Sequence, residues 1–493
     1  MDAETILRIK PALTQYLHEF DGCMGRVTNR RHLQTYVAGQ LSDLQRKSHA
    51  LSREGIEPMA DAAGQSPRTL QEFLSMLRWD EAALRDVWQR RVADRHGHPH
   101  SVGIIDETSF HKQGDKTAGV QRQYCGSRGK RDNCVVSVHL GCVADDFHTL
   151  LDGELYLPEE TWHRDRDRCR EAGIPDDVVY RSKWEIALEQ VQRALGNGVR
   201  FAWLTFDEWY GGKPPFLRAL DGLGQNYVGE IPVNFVGWSK PPEVMYREHS
   251  RDKEQGRPRR LPRLKVRNTP ACEARNLLTC SPRLRKVPWV RFRVKDGEKG
   301  PMVWEAKCVP FWIKDENGLP SRPHRLLMAR NVLKPEEIKF FLSNAAESVP
   351  VETLLLVAFS RWRIERMFED SKDELGLDHF EVRKYVSVRR HLMLTCVSHL
   401  FLAEFRQEHG GKKRRSHYRP VADHHQGPRA ALGSRRTMLA ATGGNDRRAI
   451  GVNATAQCRR TPLVSKAGAG EIAPNRHRVA KHTYVSLAEK IAL

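Results

Sequence analysis

Apolar residues recur at three- and four-residue spacing through ILRIKPALTQYLHEF, RRHLQTYVAGQLSDLQRKS, RTLQEFLSML and WDEAALRDVWQRRVADRH, which predicts a helical region over residues 1–98. From residue 99 the period changes. Short β-branched and aromatic runs predict strands near 101–106, 134–143, 147–156 and 200–206, with a helix near 182–196. Strands interleaved with helices favour a mixed α/β sheet over 99–231. Between about 232 and 326, Pro and basic residues gather around the strand-like runs VPWVRFRV and MVWEAKCVPFWI, which read as a β-rich insertion. The earlier pattern resumes over 327–408 with a strand at LLMARN, a helix after Pro335 (EEIKFFLSNAA) and a helix from about 351. A further helix, opened by Arg389, Arg390 and His391, has an apolar face suited to packing on the core. Over 409–493 no amphipathic period remains, and that Gly-, Arg- and His-rich tail is expected to be disordered.

Composition changes this picture by locating the charge. The chain carries a net +20, and residues 410–493 hold 17 Lys and Arg against 4 Asp and Glu, while 240–267 hold 10 against 4. The remainder is nearly neutral, so the basic excess lies in two segments where phosphates could be met. A charged run that is merely solvated remains the alternative for the tail. Arg26, Arg30, Arg31, Arg46, Lys47 and Arg53 would likewise suit phosphates or a solvated helix surface. No window of about 18 apolar residues is present to span a bilayer, and the acidic start MDAETILRIK is no secretory signal, so a soluble cytoplasmic protein without membrane partners is expected. The ten cysteines form no C-x-x-C pair, and reduced thiols are the expectation. His111, His163 and His379 suit hydrogen bonding better than metal ligation. The run G-S-R-G-K lacks both the gap and the hydroxyl residue of a nucleotide-binding phosphate loop, which excludes ATP binding by that route.

The candidate chemistry lies in carboxylates. In SVGIIDETSF a short apolar strand is expected to stop at Asp106, with Glu107 and Thr108 turning the chain. In VRFAWLTFDEWYGG the same design leads to Asp207, followed by a Gly pair that permits a sharp turn. An open α/β sheet places its chemistry at strand ends, although an aspartate there also serves as an ordinary turn-former or cap. In SRWRIERMFEDSKDELGLDHFEVR, Arg361, Glu365 and Lys372 stand four and then seven positions apart and share one helix face. A solvated, salt-bridged face would show the same spacing. Three carboxylates together suit two Mg²⁺ ions about 3.5–4 Å apart, with Mn²⁺ as a substitute, since both metals prefer oxygen ligands and can activate a water for phosphodiester cleavage. In that scheme Asp106 bridges the pair while Asp207 and Glu365 hold one ion each. Lys112, Lys116, Arg122, Arg128, Lys130 and Arg131 follow the first aspartate on an expected hairpin that could grip the scissile strand. Trp238, Trp289 and Trp304 in the insertion are candidates either for an unstacked base or for core packing.

These stretches together resemble the DDE transposases of bacterial insertion sequences, in the branch with a long β-rich insertion before the glutamate. The branch signature is tyrosine, two residues, arginine, three residues, glutamate, six residues, lysine. Arg361, Glu365 and Lys372 match it, and Ala358 stands at the tyrosine position beside Phe359. DETSFHKQGDKTAGVQRQYCGSRGKRDNC, LYLPEETWHRDRDRCREAGIP, DEWYGG and LGLDHFEVR extend the resemblance over most of residues 30–400. It implies an RNase-H-like core, Mg²⁺ dependence, and cleavage and joining of DNA at transposon ends. It also implies a homodimer pairing two terminal inverted repeats with target DNA, near the bacterial nucleoid. By the same resemblance residues 1–98 would bind DNA ends. Related chains continue with helices after the point matching residue 409, so a frame shifted or recombined there is one reading of the tail. A nuclease without strand transfer and a DNA-binding protein derived from a transposase remain alternatives.

Overall fold

The computed structural model describes residues 3–42, 44, 56–245, 261–266, 269–297 and 300–409. The expectations for the tail, and for Arg46, Lys47 and Arg53, therefore lie outside the described residues. The N-terminal helices include Ala3–His18 (α1), Val27–Leu41 (α2), Pro67–Ser75 (α3) and Glu81–His96 (α4). Asp80 caps α4 by accepting from the Ala83 N–H at 2.9 Å, which satisfies one of the free amides at its start.

The first sheet is built on Val102–His111 (β1), Gln121–Cys125 (β2), Lys130–Ala144 (β3), Phe147–Leu155 (β4) and Trp203–Phe206 (β5). Its path runs β2-β3-β1-β5, with β4 also on β3. Most pairs are antiparallel, but β1 and β5 run parallel, joined by a crossover that contains the helix Lys183–Gly196 (α5). The strand expected to stop at Asp106 continues to His111. β3 supplies an unbroken antiparallel partner along all of it, with Asp106 opposite His139. Glu107 and Thr108 are thus strand residues and not a turn.

Past β5 come the short helix Glu208–Gly211 (α6) and the strand Val228–Ile231 (β6). A parallel bridge, Leu204 to Tyr227, brings β6 beside β5. The second sheet has the order β7-β8-β9-β10-β6, where the new strands are Val290–Gly297 (β7), Gly300–Lys314 (β8), Pro320–Asn331 (β9) and Ile338–Ser343 (β10). The helix expected after Pro335 is therefore corrected to the strand β10. Phe340, Phe341 and Leu342 are buried there between β9 and β6, and this pairing outweighs the helical spacing of EEIKFFLSNAA. The division expected at 326/327 falls inside β9, and β10 returns to pair with β6 on the near side of the one expected at 231/232.

The chain closes with Val351–Ser360 (α7), Trp362–Asp373 (α8) and Tyr385–His409 (α9). α9 is buried on nearly every side, its polar Thr395, Ser398 and His399 included. The N-terminal helices form part of its cover. Tyr16 Oη donates to the Val397 carbonyl at 2.8 Å, Gln40 Nε2 to Thr395 Oγ1 at 2.8 Å, and the Tyr36 hydroxyl shares a 2.7 Å bond with His391 Nδ1. Their apolar residues belong to the same core as those of the sheets.

Candidate active site

The parallel register of β1 and β5 assembles the site. Ile105 pairs with Phe206, both wholly buried, so the next residues, Asp106 and Asp207, emerge side by side on neighbouring strands about 5 Å apart. β5 ends there because Asp207 turns the chain. Its carboxylate accepts from the Trp209 N–H at 3.0 Å and the Tyr210 N–H at 3.3 Å, capping α6. Gly211 lets α6 sit against β6, since a Cβ there would collide with the Glu230 carbonyl. Asp106 accepts from the Glu107 N–H at 2.8 Å.

Arg361 and Lys372 both reach the β1 face that carries Asp106. Arg361 Nη1 donates to Asp106 Oδ2 at 2.8 Å, and the Lys372 ammonium lies 6.0 Å from the Phe110 ring, four residues along the same face. Glu365, between them on α8, meets Arg361 at 3.5 Å with its side chain 65% exposed. Ile364 and Met367 hold the helix down on β3, where Gly141 leaves room for them.

Burial pushes the Asp106 carboxyl up to about 7; Arg361 draws it down and Asp207 pushes it up again. Burial likewise raises Asp207, opposed by its backbone hydrogen bond from Tyr210. Two crowded carboxyl groups sharing one guanidinium lack cationic charge, and their hard oxygens fit a divalent cation of the Mg²⁺ type. Glu365 is linked to them through Arg361. Among the described residues no three His, Cys, Asp or Glu side chains gather closely enough to form a metal site by themselves.

The expected hairpin is formed by β2 and β3 and curls back on β1. Ser109 Oγ lies 3.6 Å from Cys125 Sγ and Arg128 Nη2 lies 3.5 Å from His111 Nδ1. Its charged turn thus meets β1 within a few residues of Asp106, and Arg122, Arg128, Lys130 and Arg131 are exposed. Lys116 is also exposed and meets Glu171 at 3.4 Å. Lys112 is placed differently: its ammonium donates to the Phe380 carbonyl at 2.5 Å and lies 3.6 Å from that ring's centroid, which commits it inside the protein. Among the tryptophans, Trp238 and Trp304 are core residues, and Trp289 is half-buried beside Arg330 and Lys307. His163 accepts from the Tyr180 N–H at 3.2 Å.

Sequence reading missed Glu107, Lys183 and Tyr210 as parts of the site. Glu107 alternates to the other face of β1, where it accepts from Lys183 Nζ at 2.5 Å and from the Tyr210 hydroxyl at 3.3 Å. The adjacency of Glu107 to Asp106 was visible, but the approach of Lys183 depends on how α5 packs.

The chain matches the family described as DDE superfamily endonuclease over residues 19–301, a span that includes Asp106 and Asp207 and ends before Arg361, Glu365 and Lys372. A protein of Microchaete diplosiphon named "Probable transposase for insertion sequence element IS701" is 32% identical over 215 residues, 43% of this chain and 50% of that protein. The chain thus spans about half the length of this curated relative. The crystal structure of the NurA nuclease from Sulfolobus solfataricus covers 57% of this chain and 86% of its own at 11% identity, with a TM-score of 0.21, a likeness too slight to argue from.

Proposed function

The chain belongs to the DDE superfamily endonucleases, and from that premise we propose that it is a transposase that cuts DNA at transposon ends and joins the freed 3′-hydroxyl to target DNA. One observation carries the reading: Asp106 and Asp207 stand together at the parallel β1–β5 pair, where Arg361 meets Asp106, Lys372 lies by Phe110 on the same strand, and Glu365 meets Arg361 at 3.5 Å. The path of the first sheet supports an RNase-H-like core, with the strands from β7 to β9 as the insertion.

Asp106 and Asp207 would hold divalent cations, with Glu365 as the third carboxylate. When bound, a Mg²⁺ pair supplies Lewis acidity at the phosphorus and an activated hydroxyl. The protein's own groups do the rest. Arg361 balances the charge of Asp106 and orients Glu365, and Lys372 lies along the strand to meet a neighbouring phosphate. Arg122, Arg128, Lys130 and Arg131, with Lys116, would fix the register of the duplex through its backbone without reading bases. A homodimer would bring two terminal repeats together, and DNA is the partner in either case.

The test is Mg²⁺-dependent cleavage of DNA carrying the element's ends, comparing the natural chain with Glu365→Gln, which keeps the side chain's shape and removes its charge. Cleavage should fall by about 10³-fold or more while end binding persists. Cutting that survives the substitution would remove Glu365 from the site. Products joined to target DNA separate a transposase from a simple nuclease. One observation favours a second reading, a DNA-binding protein derived from a transposase: Ala358, at the signature's tyrosine position, is buried in α7 and offers no hydroxyl. Binding of ends with no cleavage by the natural chain would favour it.

A further inference from the structure

The turn after β5 presents an aromatic surface to which the mechanism above gives no task. Trp209 follows Asp207 by two residues, and its backbone N–H donates to that carboxylate at 3.0 Å, which fixes the main chain that carries the indole. The residue is 36% exposed, although a tryptophan is usually well covered. Its ring rests edge-on against Tyr210, with centroids 5.0 Å apart and planes at 78°. Two ammonium groups lie over the ring, Lys183 at 5.2 Å and Lys213 at 4.7 Å from its centroid. Lys183 is anchored by Glu107 at 2.5 Å, and Tyr210 donates to the same carboxylate at 3.3 Å. Platform, cations and strand-end aspartate therefore form one connected unit.

A nucleotide presents a π face and a phosphate, and this unit offers a partner for each. Resting on the transposase reading, we propose that Trp209, Lys183 and Lys213 form the subsite for a nucleotide beside the scissile phosphate, with its base on the indole and its phosphates on the two lysines. Any base can stack there, so the subsite holds the strand in place and tolerates sequence change. Unstacking a base is least costly at a cut or frayed end, so the subsite engages the strand most strongly once the end has opened.

The test uses the full chain and element-end DNA in which one abasic nucleotide is moved through positions on both sides of the cut, with affinity read by fluorescence anisotropy in Ca²⁺. For the natural chain, one position next to the cut should lose about tenfold in affinity. Trp209→Ala should lose a similar factor on intact DNA and nothing further at that position, while Trp209→Phe keeps most of the affinity. An abasic series with no sensitive position overturns the proposal without relying on any variant's folding. So do losses that simply multiply at every position. If the natural chain binds DNA but does not cut in Mg²⁺, the transposase reading fails while the cycle still decides the subsite. If it binds no DNA, both fail.

Discussion

At the scale of the residue, burial and charge pull Asp106 in opposite directions. The carboxyl is pushed up to about 7 by burial despite an arginine 2.8 Å away. At pH 8 without metal it must ionise, and this costs the folded state what a bound cation would restore. Asp106→Asn is therefore expected to abolish cleavage and yet to stabilise the metal-free chain at pH 8 by about 1 kcal/mol, as substitutions at strained functional sites often do. Urea unfolding checks it. A less stable variant would mean that the contact with Arg361 more than compensates the buried charge. Glu365 is placed differently, its side chain 65% exposed and in contact with Arg361 at 3.5 Å.

At the scale of the element, the site depends on how closely α8 approaches the sheet. Ile364 and Met367 pack over Gly141, where an added Cβ would lie 2.8 Å from Met367 Sδ. Gly141→Val should push α8 outward, lengthen the Arg361–Asp106 contact and destabilise the protein by about 1–3 kcal/mol. The expected result is a loss of cleavage larger than the loss of DNA binding, because the hairpin cations stay in place. Equal losses of both would instead indicate general unfolding. The hairpin was legible as a charged turn, but not its curl back to Ser109, which depends on a contact between residues 16 positions apart that no local spacing encodes. The misread stretch after Pro335 has the same cause: its apolar residues fit helical spacing, and two neighbouring strands decide the outcome.

At the scale of the whole molecule, the N-terminal helices are fastened to the last described helix. Arg91, 7% exposed in its side chain, makes hydrogen bonds to Glu404 at 2.9 and 3.0 Å and also contacts Glu19, and His96 meets Glu404 at 3.0 Å. Burial pushes the Glu404 carboxyl up, but its bonds to His96 and Arg91 outweigh this and leave it below its ordinary 4.5. A depressed carboxylate contributes stability that is present above its unfolded value and lost as pH falls through the folded one. Unfolding midpoints should therefore drop below pH 4.5. Arg91→Ala should cost about 3 kcal/mol at pH 7 and flatten that acid limb, since the carboxylate is left buried without its main partner. An unchanged midpoint at pH 7 would show that α4 and α9 are held by apolar contact alone. Among the described residues no helix is long and apolar enough to cross a membrane.

The sequence alone determined the periodic elements: the N-terminal helices, most strands of the first sheet, the two aspartates beside apolar runs, and the shared face of Arg361, Glu365 and Lys372. Each is a local matter, because side-chain direction repeats every two or 3.6 residues and can be read from spacing. Tertiary structure decided what those residues meet. Only the parallel register of β1 and β5 places Asp106 beside Asp207, only the seating of α8 over Gly141 brings Arg361 to them, and only the packing of α5 brings Lys183 to Glu107 and Trp209. These juxtapositions join residues far beyond the reach of one helix turn or strand repeat, 76 positions apart for Lys183 and Glu107 and 255 for Arg361 and Asp106. Local spacing says nothing about such pairs, and what selects them is the burial of the surrounding core.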